Sequence, residues 1–251
     1  MSDSSDVMID VSGVKKTFSI PTVRRETVRE HALDLFRPRP AQRVTILDRI
    51  SFQVRRGESV GLMGRNGCGK STLLKIISGI YQPDAGTVAV TGEVTPILEL
   101  GVGFNPELDA VDNVYLLGTV MGLTLAQVRS RLDEVLRFAE LERFARLRVQ
   151  HFSSGMIARL AYAVAFCAVR EILILDEIFA VGDAAFQAKC AERYQVMVDA
   201  GHTVLLVSHD PDTIARLCDR ALLLEHGAVL AQGSAATVAR EYTRLLSSAP
   251  T

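Results

Sequence analysis

The chain has 251 residues, 48% hydrophobic and 23% charged. This composition excludes a disordered polymer and allows a sizeable core without disulfides or metal. Lys and Arg number 28 and Asp and Glu 29, a formal net charge of −1, which argues against a strongly basic nucleic-acid binder.

The opening MSDSSD has neither a basic start nor an apolar run, so no secretory signal is expected. A first strand ends near Lys15-Lys-Thr-Phe18. Between Pro21 and Arg43 stand Arg24, Arg25, Arg29, Arg37, Arg39 and Arg43 against Glu26, Glu30 and Asp34, a local net of +3. Val28, Ala32, Leu35 and Phe36 share one face of a helix that Pro38 stops. This stretch, 21–43, reads as an insertion between two strands. Glu58 to Met63 reads as a buried strand and Gly64 to Gly69 as a glycine-punctuated turn. Ser71 to Ser78 has helical spacing and stops at Gly79. Gly86–Val90 and Thr95–Leu98 read as strands. Leu125 to Ala139 is an amphipathic helix with Leu125, Val128, Leu132, Val135, Leu136 and Ala139 at steps of three and four.

A second helix follows Gly155. Its run Leu160–Val169, the longest that is both apolar and uncharged, is half of the ~20 residues a bilayer span needs, so the chain is not expected to cross a membrane by itself. Ile172–Leu175, Val204–Val207 and Ala221–Leu224 are continuous apolar strands. Separated by helices, they predict an α/β fold with a mostly parallel sheet covered on both faces. The four cysteines, Cys68, Cys167, Cys190 and Cys218, form no CxxC pair. Neither a zinc framework nor a disulfide scaffold is expected, and a reducing compartment is.

Two segments carry chemistry. Gly64-Arg-Asn-Gly-Cys-Gly-Lys-Ser-Thr72 fits GxxxxGK[ST] between a strand and a helix. Gly64, Asn66, Gly67, Cys68, Gly69 and Thr72 belong to a backbone curled so that its N–H groups converge on phosphate oxygens. Lys70 reaches the β- and γ-phosphates, and Ser71 ligates Mg²⁺. Ile172-Leu-Ile-Leu-Asp-Glu177 places acids at the carboxyl end of a buried strand, where such sheets bind ligands. Asp176 helps hold Mg²⁺ and Glu177 polarises the attacking water.

With these motifs in view, the chain resembles the ATP-binding-cassette (ABC) ATPases. Phe152-Ser-Ser-Gly-Met156 stands where that family has LSGGQ, Ala180-Val-Gly-Asp183 where it has the D-loop, and Val207-Ser-His-Asp210 resembles its switch-histidine segment. The resemblance implies a P-loop core with a small antiparallel β subdomain and a helical subdomain at about 108–168, all in one domain over 1–251. A C-terminal helix at 233–251 and no appended carbohydrate-binding domain are expected. It also implies a homodimer in which Ser153, Ser154 and Gly155 of one copy close on ATP bound by the other, with His209 at the γ-phosphate and Asp183 beside the nucleotide. Phe18 is the expected adenine-stacking aromatic, with a core phenylalanine as the alternative.

Ser154 and Met156 depart from the family's Gly and Gln. In Ile97-Leu-Glu-Leu-Gly-Val-Gly-Phe-Asn-Pro-Glu107 no Gln is present, and Glu99 is the nearest polar substitute as a metal ligand. The Gly-Val-Gly-Phe-Asn-Pro-Glu segment, the D-loop and the arginine-rich insertion resemble the polysaccharide-exporter branch, which moves O-antigen, capsule or teichoic-acid polymers. That implies a separate transmembrane permease, peripheral attachment at the cytoplasmic face of the inner membrane, and no nucleic-acid partner. The alternatives are another exporter's ATPase or a soluble cassette acting on nucleic acid or ribosomes. The latter usually pairs two cassettes or inserts coiled coils, and neither is seen here. A P-loop kinase or GTPase leaves Phe152–Met156 and His209 unexplained. The insertion fits a helix on an anionic membrane or against the permease, or a solvated surface helix. On the first reading, replacing Arg24, Arg25 and Arg29 together lowers co-purification with membranes or permease; unchanged recovery rejects it.

Overall fold

Two strand patterns divide the chain into two sheets. In the computed structural model, which describes residues 6–21, 41–97, 103–176 and 182–247, β1 (Val7–Pro21) lies between β2 (Ala41–Arg55) and β4 (Ala85–Val90) in an antiparallel sheet. On β2, buried Ile50, Phe52 and Val54 alternate with exposed Ser51, Gln53 and Arg55. That period of two gives the sheet one dry face and one wet face.

The second sheet has the order β5-β6-β7-β3-β8-β9, built from β3 (Ser59–Gly64), β5 (Val94–Ile97), β6 (Ile172–Asp176), β7 (Thr203–Val207), β8 (Arg220–Glu225) and β9 (Ala228–Ser234). All neighbours pair in parallel except β8 and β9. The continuous apolar strands serve two cores at once. Ile172, Ile174, Leu205, Val207, Leu222 and Leu224 face the antiparallel sheet and α1 (Lys70–Ile77). Leu173, Leu175, Val204, Leu206, Ala221 and Leu223 face the opposite way. There they meet the helices α4 (Ser154–Cys167), α5 (Ala184–Asp199) and α7 (Ala235–Ser247). A short helix, α6 (Pro211–Leu217), precedes β8. This is the mostly parallel, doubly covered sheet that the run of apolar strands predicts.

A third core joins α2 (Ala110–Val120), α3 (Leu125–Ala139) and the outer face of α4 through Val114, Leu117, Val128, Val135, Leu136, Leu160 and Val164. The predicted bounds of α3 hold because Thr124 and Gln127 form a capping box at its start. Leu125, counted on the apolar face by spacing, is instead 65% exposed. The helix expected after Gly155 starts two residues earlier, at Ser154, because Ser153 caps it. The predicted helix within 21–43 lies outside the described residues.

The loop before α2 is fixed by one buried amide. Asn113 is fully buried. Its Nδ2 donates to the carbonyls of Asn105, Leu108 and Asp109, and its Oδ1 accepts from the Asn105 N–H at 2.7 Å. Val149 N–H and Gln150 N–H donate to Leu108 and Pro106, so the same loop holds the segment leading to Phe152. Asn113→Leu leaves these polar groups unpaired. It should lower unfolding free energy by about 1–3 kcal/mol in urea titration, whereas an exposed Asn66→Ala should not.

Candidate nucleotide site

Strand order brings the motif-bearing loops to one edge. β7 lies between β6 and β3, with Asp176 level with Val207 and Leu62 level with Val207. The chain leaving β3 forms the phosphate loop, β6 ends on Asp176, and β7 leads through Ser208 to His209. All three leave the carboxyl edge, where parallel sheets bind ligands.

Loop and helix together make an anion cradle. Gly64 and Gly69 have φ of 150° and 111°. A Cβ on Gly64 would lie 2.3 Å from the Leu224 carbonyl oxygen, and one on Gly69 2.7 Å from Leu47 Cδ2. Only glycine allows both the backbone angles and the approach. Gly69 leads directly into α1, which has no side-chain cap and no acid in its first turn. By contrast α2, α3, α4, α5 and α6 are capped by Asp109, Thr124, Ser153, Asp183 and Asp210. An uncapped helix start beside a glycine loop presents N–H groups and a positive dipole end to an anion. A phosphate group matches such a set of donors.

Lys70 is 7% exposed and donates to the carbonyls of Gly64 at 2.7 Å and Arg65 at 3.1 Å. Its ammonium is thus held at the mouth of the loop. The Gly64 carbonyl also accepts from Tyr242 of α7 at 3.4 Å. Ser71 Oγ donates to Asp176 Oδ2 at 3.2 Å. A hydroxyl and a carboxylate this close are two oxygen donors of the kind Mg²⁺ takes alongside phosphate oxygens and water. A cleft of about 510 Å³ is lined by Ile46, Asn66, Gly67, Gly69, Lys70, Ser71, Thr72 and Asp176. Ile46 is the lining residue that motif reading missed; a β-strand isoleucine carries no signal until the two sheets meet.

The remaining expected residues stand elsewhere. Cys68 belongs to the loop, but its thiol is buried in the core and burial pushes its pKa up, so only its backbone faces a ligand. Phe18 pairs with Val44 in the β1–β2 ladder and packs edge-on against Tyr81 at 5.8 Å, with Lys16 Nζ 5.6 Å from its ring centre. It is not among the residues lining the cleft. Ser153, Ser154 and Gly155 do not line it either. Ser153 Oγ accepts from Met156 N–H, and Ser153 and Ser154 are exposed. Asp183 caps α5 by accepting from Phe186 N–H and takes a second bond from Arg159. His209 is exposed beside Asp210, which accepts from the Asp212 and Thr213 N–H groups and holds the turn. Glu99 and Glu177 lie outside the described residues.

The ABC transporter family model matches residues 47–180. Over 243 residues the chain is 42% identical to the ABC transporter protein AbcA of Aeromonas salmonicida, covering 96% of this chain and 78% of that one. It is 39% identical to the O-antigen export system ATP-binding protein RfbB of Myxococcus xanthus, over 98% of this chain and 58% of that protein. A solved ATP-binding subunit of an ABC transporter superposes with TM-score 0.75 at 27% identity, covering 94% of this chain and 93% of that one. A cassette solved as a dimer with ADP and Pi shares the fold, with TM-score 0.73 at 23% identity over 91% and 99% of the two chains.

Gly69→Ala forces the loop open against Ile46 and Leu47. Calorimetric titration should show at least tenfold weaker ATP binding. Gly233→Ala, where a Cβ meets open space on an ordinary strand backbone, serves as control with unchanged affinity.

Proposed function

Because the chain belongs to the ABC transporter family, we propose that it is the ATP-hydrolysing subunit of an exporter for a cell-surface polysaccharide. The observation that carries the mechanism is an incomplete site: the cleft is lined by the phosphate loop and Asp176, while Ser153, Ser154 and Gly155 do not line it. A second copy in head-to-tail arrangement supplies what the cleft lacks. A neighbour of the same fold, solved as a dimer with ADP and Pi, supports a paired reading.

In this reading the backbone of Gly64–Thr72 and the Lys70 ammonium bind the triphosphate, and Ile46 or Phe18 covers the adenine. The exposed start of α4, with Ser153, Ser154 and Gly155, takes the partner copy's γ-phosphate. Mg²⁺ neutralises phosphate charge when bound, held by Ser71 and Asp176, with Glu99 as a further candidate ligand. Glu177 accepts the proton of the attacking water, and His209 orients Glu177 and the γ-phosphate. Asp183 lies at the copy-to-copy face. Loss of the γ-phosphate removes the contact that joins the two copies, so the dimer opens.

The named relatives support the substrate class: RfbB proteins are O-antigen export ATP-binding proteins and TagH proteins serve teichoic acid export. Among the described residues no helix is long and apolar enough to cross a membrane. A separate permease therefore carries the path in this proposal, with the present chain attached at the cytoplasmic face. The arginine-rich stretch 21–43 is the proposed contact with membrane or permease. No nucleic-acid partner is needed.

Glu177→Gln removes the base while keeping the shape of the site. With ATP and Mg²⁺ it should accumulate as a dimer in size-exclusion chromatography and turn over at least a hundredfold more slowly. Turnover near the parent rate would reject Glu177 as the base.

A further inference from the structure

Ile46 is the one apolar side chain among the described residues that line the nucleotide cleft, and a bulge puts it there. Lys16 of β1 pairs with Leu47 and Thr17 with Thr45, so Ile46 is an extra residue of β2 with no counterpart in the ladder. A bulge of this kind re-aims a side chain out of the strand's alternation. The backbone is crowded at the same point. A Cβ on Gly69 would lie 2.9 Å from the Ile46 carbonyl oxygen, and one on Gly227 2.4 Å from it. The phosphate loop therefore rests against the bulge, and any shift of Ile46 alters the cleft.

The strand opposite the bulge is held from its other side by one carboxylate. Backbone pairing of β1 with β4 ends at Lys15 and Ala85. Asp84 carries the contact further. Its backbone N–H donates to the Lys15 carbonyl at 2.8 Å, and its Oδ2 accepts from the Thr17 N–H at 2.6 Å. Its Oδ1 accepts from Lys16 Nζ at 3.0 Å, and the same ammonium donates to the Gln82 carbonyl at 2.7 Å. The Thr17 N–H first, and the Lys16 bond after it, hold the Asp84 carboxyl below the usual carboxylate range. An exposed ion pair alone fixes little, but a carboxylate bonded to a backbone N–H fixes the strand itself. Lys16 and Thr17 are the two residues that flank the slip in register. The helix α1 thus meets the bulge from both ends: Gly69 before it lies against Ile46, and the chain leaving it returns through Asp84.

We propose that Asp84 is a positioning residue for the nucleoside end of the cleft: by bonding Lys16 and Thr17 it fixes the bulge and, through the bulge, Ile46. The inference rests on the reading above in which Ile46 covers the adenine. The glycine loop and Lys70 take the charged end of the nucleotide, so the apolar wall falls to the nucleoside. Phe18, the other residue proposed at the base, follows Thr17 directly and depends on the same brace. Asp84 therefore acts on the part of ATP that inorganic tripolyphosphate lacks.

Calorimetric titration with ATP and with tripolyphosphate, each with Mg²⁺, separates the two ends of the cleft. Ile46→Ala, measured first, should weaken ATP binding by about fivefold or more and tripolyphosphate binding by less than about twofold. Asp84→Ala should repeat that split. It should also raise the KM for ATP in step, with kcat within about twofold, and move the Ile46 methyl signals in NMR spectra of the ligand-free chain. Asp84→Asn keeps a carbonyl oxygen for the Thr17 N–H and should recover most of the ATP affinity. Glu107→Ala breaks an exposed 3.6 Å pair with Arg148 and should change none of these readouts. Lys16→Met leaves the Asp84–Thr17 bond and serves if Asp84→Ala does not fold; about threefold weaker ATP binding at unchanged tripolyphosphate affinity is expected.

Parent-like ATP affinity and Ile46 signals in Asp84→Ala, or in Lys16→Met where that substitutes for it, overturn the proposal. So does equal loss of ATP and tripolyphosphate binding together with thermal stability, which marks a merely structural role. An Ile46→Ala chain that binds ATP as the parent does defeats the reading of Ile46 itself, a result visible before any Asp84 variant is made.

Discussion

A helix start that no side chain caps is the demand around which the carboxyl edge of the sheet is organised. Five other helices close their first turns with Asp, Ser or Thr, and α1 does not. Its donors point into a cleft with Lys70, Ser71 and Asp176. An anion with several oxygens satisfies all of them at once. Glycine is required at the approach to this helix because β2 and β8 crowd the loop from both sides. The two sheets thus act together at the cleft, one lifting the loop to the edge and the other walling it.

The opposite edge of the sheet is tied for stability. Arg220 at the start of β8 binds Glu58 at 2.7 Å and donates to the Gln53 carbonyl at 2.5 Å. Burial alone would raise the Glu58 pKa; the Arg220 bonds and the Arg55 N–H outweigh it and hold the carboxyl low. A group whose folded pKa is depressed contributes stability at neutral pH, and this is lost as pH falls below the carboxylate range. Asp219 takes the Ser59 N–H nearby at 3.0 Å. Charge is therefore paired away from the ligand edge, while at that edge Ser71 and Asp176 form a donor set for a cation.

What the sequence makes legible follows the range of the interactions. Local signals sufficed for β3, α1, α3 and the three continuous apolar strands β6, β7 and β8, since caps, glycines and apolar runs act within a few residues. Motif spacing sufficed for Lys70, Ser71 and Asp176, because a strand, a tight turn and a helix fix their relation. Long-range packing hid the rest. Ile46 lines the cleft only because β2 folds over the loop, Cys68 turns inward because core space is available there, and the Asp84 bonds to Lys16 and Thr17 join residues 68 and 67 positions apart. Leu125 shows the reverse error: its spacing fits the apolar face, yet it stays exposed at the first position of α3.

The Tyr242 hydroxyl that reaches the Gly64 carbonyl gives the last described helix a mechanical role. Gly64 opens the phosphate loop, and its carbonyl oxygen is shared between Tyr242 and the Lys70 ammonium. Val238, Ala239 and Tyr242 are otherwise sunk into the sheet's second core. Tugging or twisting that terminal rod would be felt at the hinge of the loop, by way of one shared oxygen, before any strand had to part from its neighbour.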